Sequence, residues 1–123
     1  MYPNDRQYTA DHEWVAISGT TARIGITDYA QDQLGDVVFV ELPDVGQVYE
    51  AGAQFGSIES VKAVSDLFCP MAGRVVEVNA ALTERPETVN EGAHEAWMLV
   101  IELTDPSATS DLLDAAAYTA LVS

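Results

Sequence analysis

The run Ala53-Gln54-Phe55-Gly56-Ser57-Ile58-Glu59-Ser60-Val61-Lys62-Ala63-Val64-Ser65-Asp66-Leu67-Phe68 holds two strand-length apolar segments joined by a short polar junction. Ala53 to Ile58 and Ala63 to Phe68 lie close enough to pair antiparallel, so the junction reads as a hairpin tip that projects Lys62 into solvent. Lys62 is also the sole lysine of the 123 residues, although lysine is ordinarily common on surfaces. A primary amine on a flexible stem suits acylation, being reachable, rotatable and nucleophilic once deprotonated. Glu59 and Asp66 flank it and favour the ammonium, so acylation there calls for an enzyme that removes the proton. A solvated lysine with no role is the competing reading of the spacing alone.

Outward from the hairpin, short strands alternate with turn residues. Trp14 to Ile17 and Thr21 to Ile26 flank Ser18-Gly19-Thr20 and read as a hairpin. Thr27-Asp28 can cap a short helix through Leu34 that Gly35 ends. Val37 to Leu42 is a β-branched strand stopped by Pro43, and Gly73 to Val78 is another. Ala80 to Glu84 reads as one helical turn, Arg85 to Glu95 as a polar loop, and Trp97 to Leu103 as a further strand. A C-terminal helix is expected over about 110–121, starting at Asp111-Leu112-Leu113, with Leu113, Ala117 and Leu121 on its buried face.

Gly35-Asp36-Val37-Val38-Phe39-Val40 and Gly73-Arg74-Val75-Val76-Glu77-Val78 share the pattern Gly-x-Val-Val-x-Val on either side of Lys62. Two such half-units suit two facing sheets, although any two buried strands after a turn glycine look alike. The expected class is therefore mainly β, a flattened barrel-sandwich hybrid with a short internal helix and a C-terminal helix, in one domain over 1–123.

The chain carries twenty acidic and five basic residues, a formal net charge of −15. That balance argues against a nucleic-acid surface and favours partners with basic docking faces, with plain solubility as the alternative. No apolar run is long enough to span a bilayer and the first residues lack signal-peptide features, so no membrane partner and a cytoplasmic location are expected. The lone Cys69, in Leu67-Phe68-Cys69-Pro70, agrees with a reducing compartment and reads as a small buried hydrophobe. His12-Glu13 does not extend to a second histidine at metalloprotease spacing and His94 is remote, so no metal site and no catalytic residue are expected.

The segments Gly35-Asp36-Val37-Val38-Phe39-Val40-Glu41-Leu42-Pro43 and Glu59-Ser60-Val61-Lys62-Ala63-Val64-Ser65-Asp66 closely resemble the glycine cleavage system H protein family of lipoyl carriers. Asp11-His12-Glu13-Trp14, Ile24 to Gln31, Glu77-Val78-Asn79, Val89-Asn90 and Leu112-Leu113-Asp114-Ala115 with Tyr118 match further, from about Tyr8 to Leu121. Biotin carriers share the hairpin but bracket their lysine with methionines, where Val61 and Ala63 stand here.

The resemblance implies lipoic acid in amide linkage to Lys62, with Glu59, Ser60, Val61, Ala63 and Asp66 as the attachment motif. It implies a non-catalytic shuttle that takes an aminomethyl group from a pyridoxal-phosphate glycine decarboxylase. A tetrahydrofolate-dependent aminomethyltransferase receives the group, and an FAD-dependent dihydrolipoyl dehydrogenase reoxidises the arm. Lipoyl-attaching enzymes are further partners, and a freely diffusing monomer suits the task. A relay donating lipoyl groups to 2-oxoacid dehydrogenase complexes is the alternative. The family also implies a surface groove for the loaded arm, matched here by Glu13 and Asp66, with Asp11 where a serine is more usual.

Overall fold

A computed structural model describes residues 2–123. In chain order the elements are β1 (Gln7–Tyr8), β2 (Glu13–Ser18), β3 (Thr21–Ile26), α1 (Asp28–Leu34), β4 (Val37–Glu41), β5 (Val48–Tyr49), β6 (Gln54–Ser60), β7 (Val64–Phe68), β8 (Gly73–Val78), α2 (Ala80–Glu84), α3 (Thr88–Glu91), β9 (Leu99–Leu103) and α4 (Ala115–Val122). They form a six-stranded sheet in the order β1-β2-β3-β9-β8-β5 and a three-stranded sheet in the order β4-β6-β7. Every pairing is antiparallel.

The expected mainly-β class with a short internal helix and a C-terminal helix is what the chain adopts. The two Gly-x-Val-Val-x-Val strands fall one in each sheet, β4 in the smaller and β8 in the larger. Between the sheets lies one core that joins Val15, Ile24, Val40, Ile58, Val75, Leu99 and Ile101 from both. Each fully buried aliphatic side chain of this kind contributes roughly 1.5–3 kcal/mol.

Successive residues of a strand point to opposite faces, and β2 shows the consequence. Val15 enters the inter-sheet core, whereas Trp14 joins Tyr8, Ala115 and Tyr118 in a second cluster on the other face. That second cluster is where α4 packs.

The helix differs from its expected form. It begins at Ala115 because Asp114 caps it, its side chain accepting from the Ala117 N–H at 2.8 Å. Leu113, expected inside the helix, instead forms a β-bridge with Tyr8. The buried face is Ala115 and Tyr118, and Leu121 is 51% exposed. An aromatic ring that fills the pocket over Tyr8 outweighs the leucine periodicity on which the sequence reading rested. Three short elements, β1, β5 and α3, also lie where no element was expected, α3 inside the Arg85–Glu95 loop.

The α1 boundaries match expectation, and their chemistry is explicit. Thr27 Oγ1 accepts from the Ala30 N–H at 3.3 Å, and Gly35 ends the helix at φ +79°, its N–H bonded to the Gln31 carbonyl at 3.0 Å. Gly46 also sits at positive φ, +99°, as a turn glycine. Gly73 serves close approach instead, since a Cβ there would meet the Glu102 carbonyl oxygen at 2.5 Å.

Candidate functional site

Strands β6 and β7 pair as expected, with Glu59 opposite Val64, and the chain reverses through Val61 and Lys62. Tight two-residue hairpin turns ordinarily require positive φ. Among the described residues φ in the left-handed range occurs only at His12 and four glycines, none of them in the tip, so this tip turns another way. The Ser60 hydroxyl accepts from the Lys62 N–H at 3.2 Å and the Ala63 N–H at 3.1 Å, while Ser60 N–H donates to the Ala63 carbonyl at 2.8 Å. A serine thus closes the turn by side chain, leaving a β-branched valine and a lysine at its apex. Val61 N–H donates to the Asp36 carbonyl at 3.1 Å and ties the tip to the start of β4.

Lys62 itself is exposed, and among the described residues no carboxylate lies within 4.0 Å of its ammonium. Glu59 and Asp66, the flanking carboxylates, are exposed too, and among the described residues neither forms an ion pair with it; Asp66 Oδ1 instead accepts from Gln54 Nε2 at 3.1 Å. The Lys62 stem passes the end of α1, where a Cβ on Gly35 would lie 3.5 Å from Lys62 Cε. Ser60→Ala is expected to cost about 1 kcal/mol through the two lost hydrogen bonds. It should also slow enzymatic acylation of Lys62, measured as the rate of transfer to the chain; an unchanged rate would show that the turn does not govern presentation of the amine.

Beside the tip runs a groove of about 250 Å³. Its lining includes Ala63, Val64 and Asp66 of the hairpin, Tyr29, Ala30, Gln33 and Leu34 of α1, and Asp11 and His12 of the β1–β2 loop. Its character is mixed, with apolar walls and two carboxylates. The structure brings Asp66 and Asp11 together here with the residues next to Lys62.

Glu13 is placed differently. It is not a lining residue; it is 2% exposed, with Oε2 accepting from the Phe68 N–H at 2.8 Å and Oε1 without a partner. Burial pushes its carboxyl up to about 8, against the opposing effect of the Phe68 hydrogen bond. Glu13 therefore holds its proton well above the ordinary carboxyl range and pins the end of β7 from behind.

A carboxyl whose folded value lies above its unfolded one stabilises the fold fully below the unfolded value and loses that contribution as pH rises through the folded value. Between about pH 4.5 and 8 the chain should lose up to about 4 kcal/mol from this group. Glu13→Gln, which keeps the acceptor and removes the charge, should flatten that decline in denaturant melts. An equally steep decline in the variant would assign it to other groups.

The residues that sequence reasoning missed are His12 and Tyr29 in the groove and Tyr118 behind it. His12 has φ +67°, a region uncommon for non-glycine residues in which histidine is found more often than most. In the sequence it is marked only by its place in the matching stretch Asp11-His12-Glu13-Trp14, which gives it no role. Cys69 is buried as expected, its thiol donating to the Met71 carbonyl at 3.0 Å and raised to about 11 by burial, so it is not a reactive thiolate. Among the described residues no three His, Cys, Asp or Glu side chains are grouped to hold a metal, and no helix is long and apolar enough to cross a membrane.

Comparison with known proteins agrees with this architecture. The family model described as Glycine cleavage H-protein matches residues 6–123. A glycine cleavage system H protein of Acidobacterium capsulatum is 54% identical over 121 residues, covering 98% of this chain and 94% of the relative. One from Koribacter versatilis is 57% identical over 117 residues, covering 95% and 90%. The crystal structure of a glycine cleavage system H protein from Mycobacterium marinum superposes with a TM-score of 0.89 at 43% identity, covering 97% of each chain.

Proposed function

Since the chain belongs to the glycine cleavage H-protein family, we propose that it is the lipoylated shuttle of that system, with lipoic acid amide-linked to Lys62. It would act as a single, non-catalytic, monomeric carrier domain over 1–123 in the cytoplasm. It would take an aminomethyl group from glycine decarboxylase to the aminomethyltransferase and then be reoxidised by dihydrolipoyl dehydrogenase. The observation that carries this reading is the exposed amine of Lys62, without an ion pair among the described residues, on a hydrogen-bonded tip beside a groove with acidic and apolar walls.

The residues present fit such a group. Ala30, Leu34, Ala63 and Val64 suit a hydrocarbon chain, and the carboxylates of Asp66 and Asp11 suit a terminal amine. When bound, the dithiolane supplies the redox-active and cargo-bearing sulfurs. This chain's own residues present it: Ser60 fixes the turn, and Asp36 anchors Val61. The net charge of −15 supports steering toward basic faces on the partner enzymes and the lipoyl-attaching enzymes.

Reconstitution with the three purified partner enzymes tests the proposal. Glycine-dependent CO₂ release should require this chain and should saturate with its lipoylated form. A chain that accepts lipoate but supports no release would instead be a lipoyl relay.

A further inference from the structure

Tyr118 is fully buried on α4, and its hydroxyl lies 2.7 Å from Thr27 Oγ1 and 2.9 Å from His12 Nδ1. The protons of this chain of three groups can be counted. Thr27 is itself fully buried, and its oxygen already accepts the Ala30 N–H as the α1 cap, so the Tyr118 oxygen is the acceptor in reach of its proton. The phenol proton is then directed to His12 Nδ1, and the ring carries its own proton on Nε2. In the reverse arrangement the Thr27 proton would be buried without an acceptor, at a cost of about 1–3 kcal/mol. Among the described residues His12 Nε2 has no hydrogen-bond partner, it is not buried, and His12 lines the groove.

The backbone of His12 is held as firmly as its ring. Left-handed φ costs an L residue roughly 1–2 kcal/mol and persists only where its surroundings over-determine it. Here His12 N–H donates to the Thr9 carbonyl at 3.1 Å, its carbonyl accepts from Thr27 N–H at 3.0 Å, and its ring packs 4.7 Å from that of Tyr29.

We propose that Tyr118 is a positioning residue of the arm groove, holding His12 in its left-handed conformation with Nε2–H as a hydrogen-bond donor beside the acceptors Asp11 and Asp66. The inference rests on the shuttle reading and adds a division of labour to it. The carboxylates suit the cationic end of the cargo, and the imidazole N–H suits a sulfur, which accepts hydrogen bonds weakly. A helix remote in sequence from the hairpin thereby shapes the surface on which the arm lies.

Tyr118→Phe removes one oxygen and tests this directly. Long-range ¹H–¹⁵N imidazole spectra of the unlipoylated wild type should show His12 Nδ1 unprotonated and Nε2 protonated, and the variant should show mixed tautomers. Enzymatic lipoylation of Lys62 should proceed at the wild-type rate in both. The half-life of the amine cargo on the arm should fall several-fold in Tyr118→Phe and equally in His12→Gly. The double variant should be no worse than either single one, as expected for two groups acting as a unit. An unchanged tautomer, an unchanged half-life, additive losses, or a loss of thermal stability alone would each overturn the positioning role. If wild type took up no lipoate, the shuttle reading would fail, and the tautomer spectrum would still report on the chain of protons.

Discussion

Lys62→Arg is expected to abolish lipoylation and with it all glycine-dependent turnover, while leaving the fold unchanged. Arginine keeps the positive charge but stays protonated above pH 12 and offers no nucleophilic amine. Because Lys62 is exposed and makes no ion pair among the described residues, the substitution should move stability by no more than about 0.5 kcal/mol. No other side chain can substitute, since no other lysine exists. Intact mass after incubation with a lipoate ligase reads the result: wild type gains one lipoyl increment and the variant none. Turnover in the reconstituted system should fall to the background without the chain. A variant that still gained the increment would place the modification elsewhere and remove the basis of the proposed function.

The largest loss of stability is expected at Gly56, where the smallest side chain is forbidden by backbone. Gly56 lies in β6 at the register shift opposite Leu67, and a Cβ built there falls well inside contact with the Glu41 carbonyl oxygen of β4. A flexible side chain could swing aside, but a carbonyl in a strand ladder cannot move without breaking the pairing of β4 with β6. Gly56→Ala should therefore cost about 3 kcal/mol or more, lowering the thermal midpoint by roughly 10 °C in a domain of this size. Gly25 is a milder comparison, since its added Cβ would meet the Trp14 indole at 2.6 Å, a side chain rather than a strand. A loss at Gly56 below 1 kcal/mol would show that the three-stranded sheet yields more easily than its geometry implies. Because that sheet carries the hairpin, the same substitution should reduce the yield of lipoylated chain on warming.

Much of this fold was legible because its signals are local. Thr27 and Gly35 bracket α1 by capping chemistry that depends only on neighbouring residues. The β2–β3 and β6–β7 hairpins follow from adjacent β-branched runs, and Lys62 stands at the tip that the pattern demanded. What sequence could not supply was partnership across distance. The start of α4 was misplaced because Leu113 pairs with Tyr8, a contact more than a hundred positions away in the chain. Glu13 was expected in the groove by resemblance, and only the packed structure shows it buried behind, against the Phe68 amide. Tyr118 was legible only as a match to the family, since its two hydroxyl contacts reach the Thr27 cap of α1 and His12 in the β1–β2 loop.

The Ser60-braced tip carries a mechanical consequence. With the Lys62 and Ala63 N–H groups bound to the Ser60 hydroxyl and the Val61 N–H tethered to the Asp36 carbonyl, the backbone at Lys62 is held as a fixed post. All sweep then begins at the lysine Cβ, so an attached arm traces a cone whose apex stays put. Each enzyme served by such a swinging lever must bring its own catalytic centre to the same small radius around one point, and none can wait for the loop to stretch toward it.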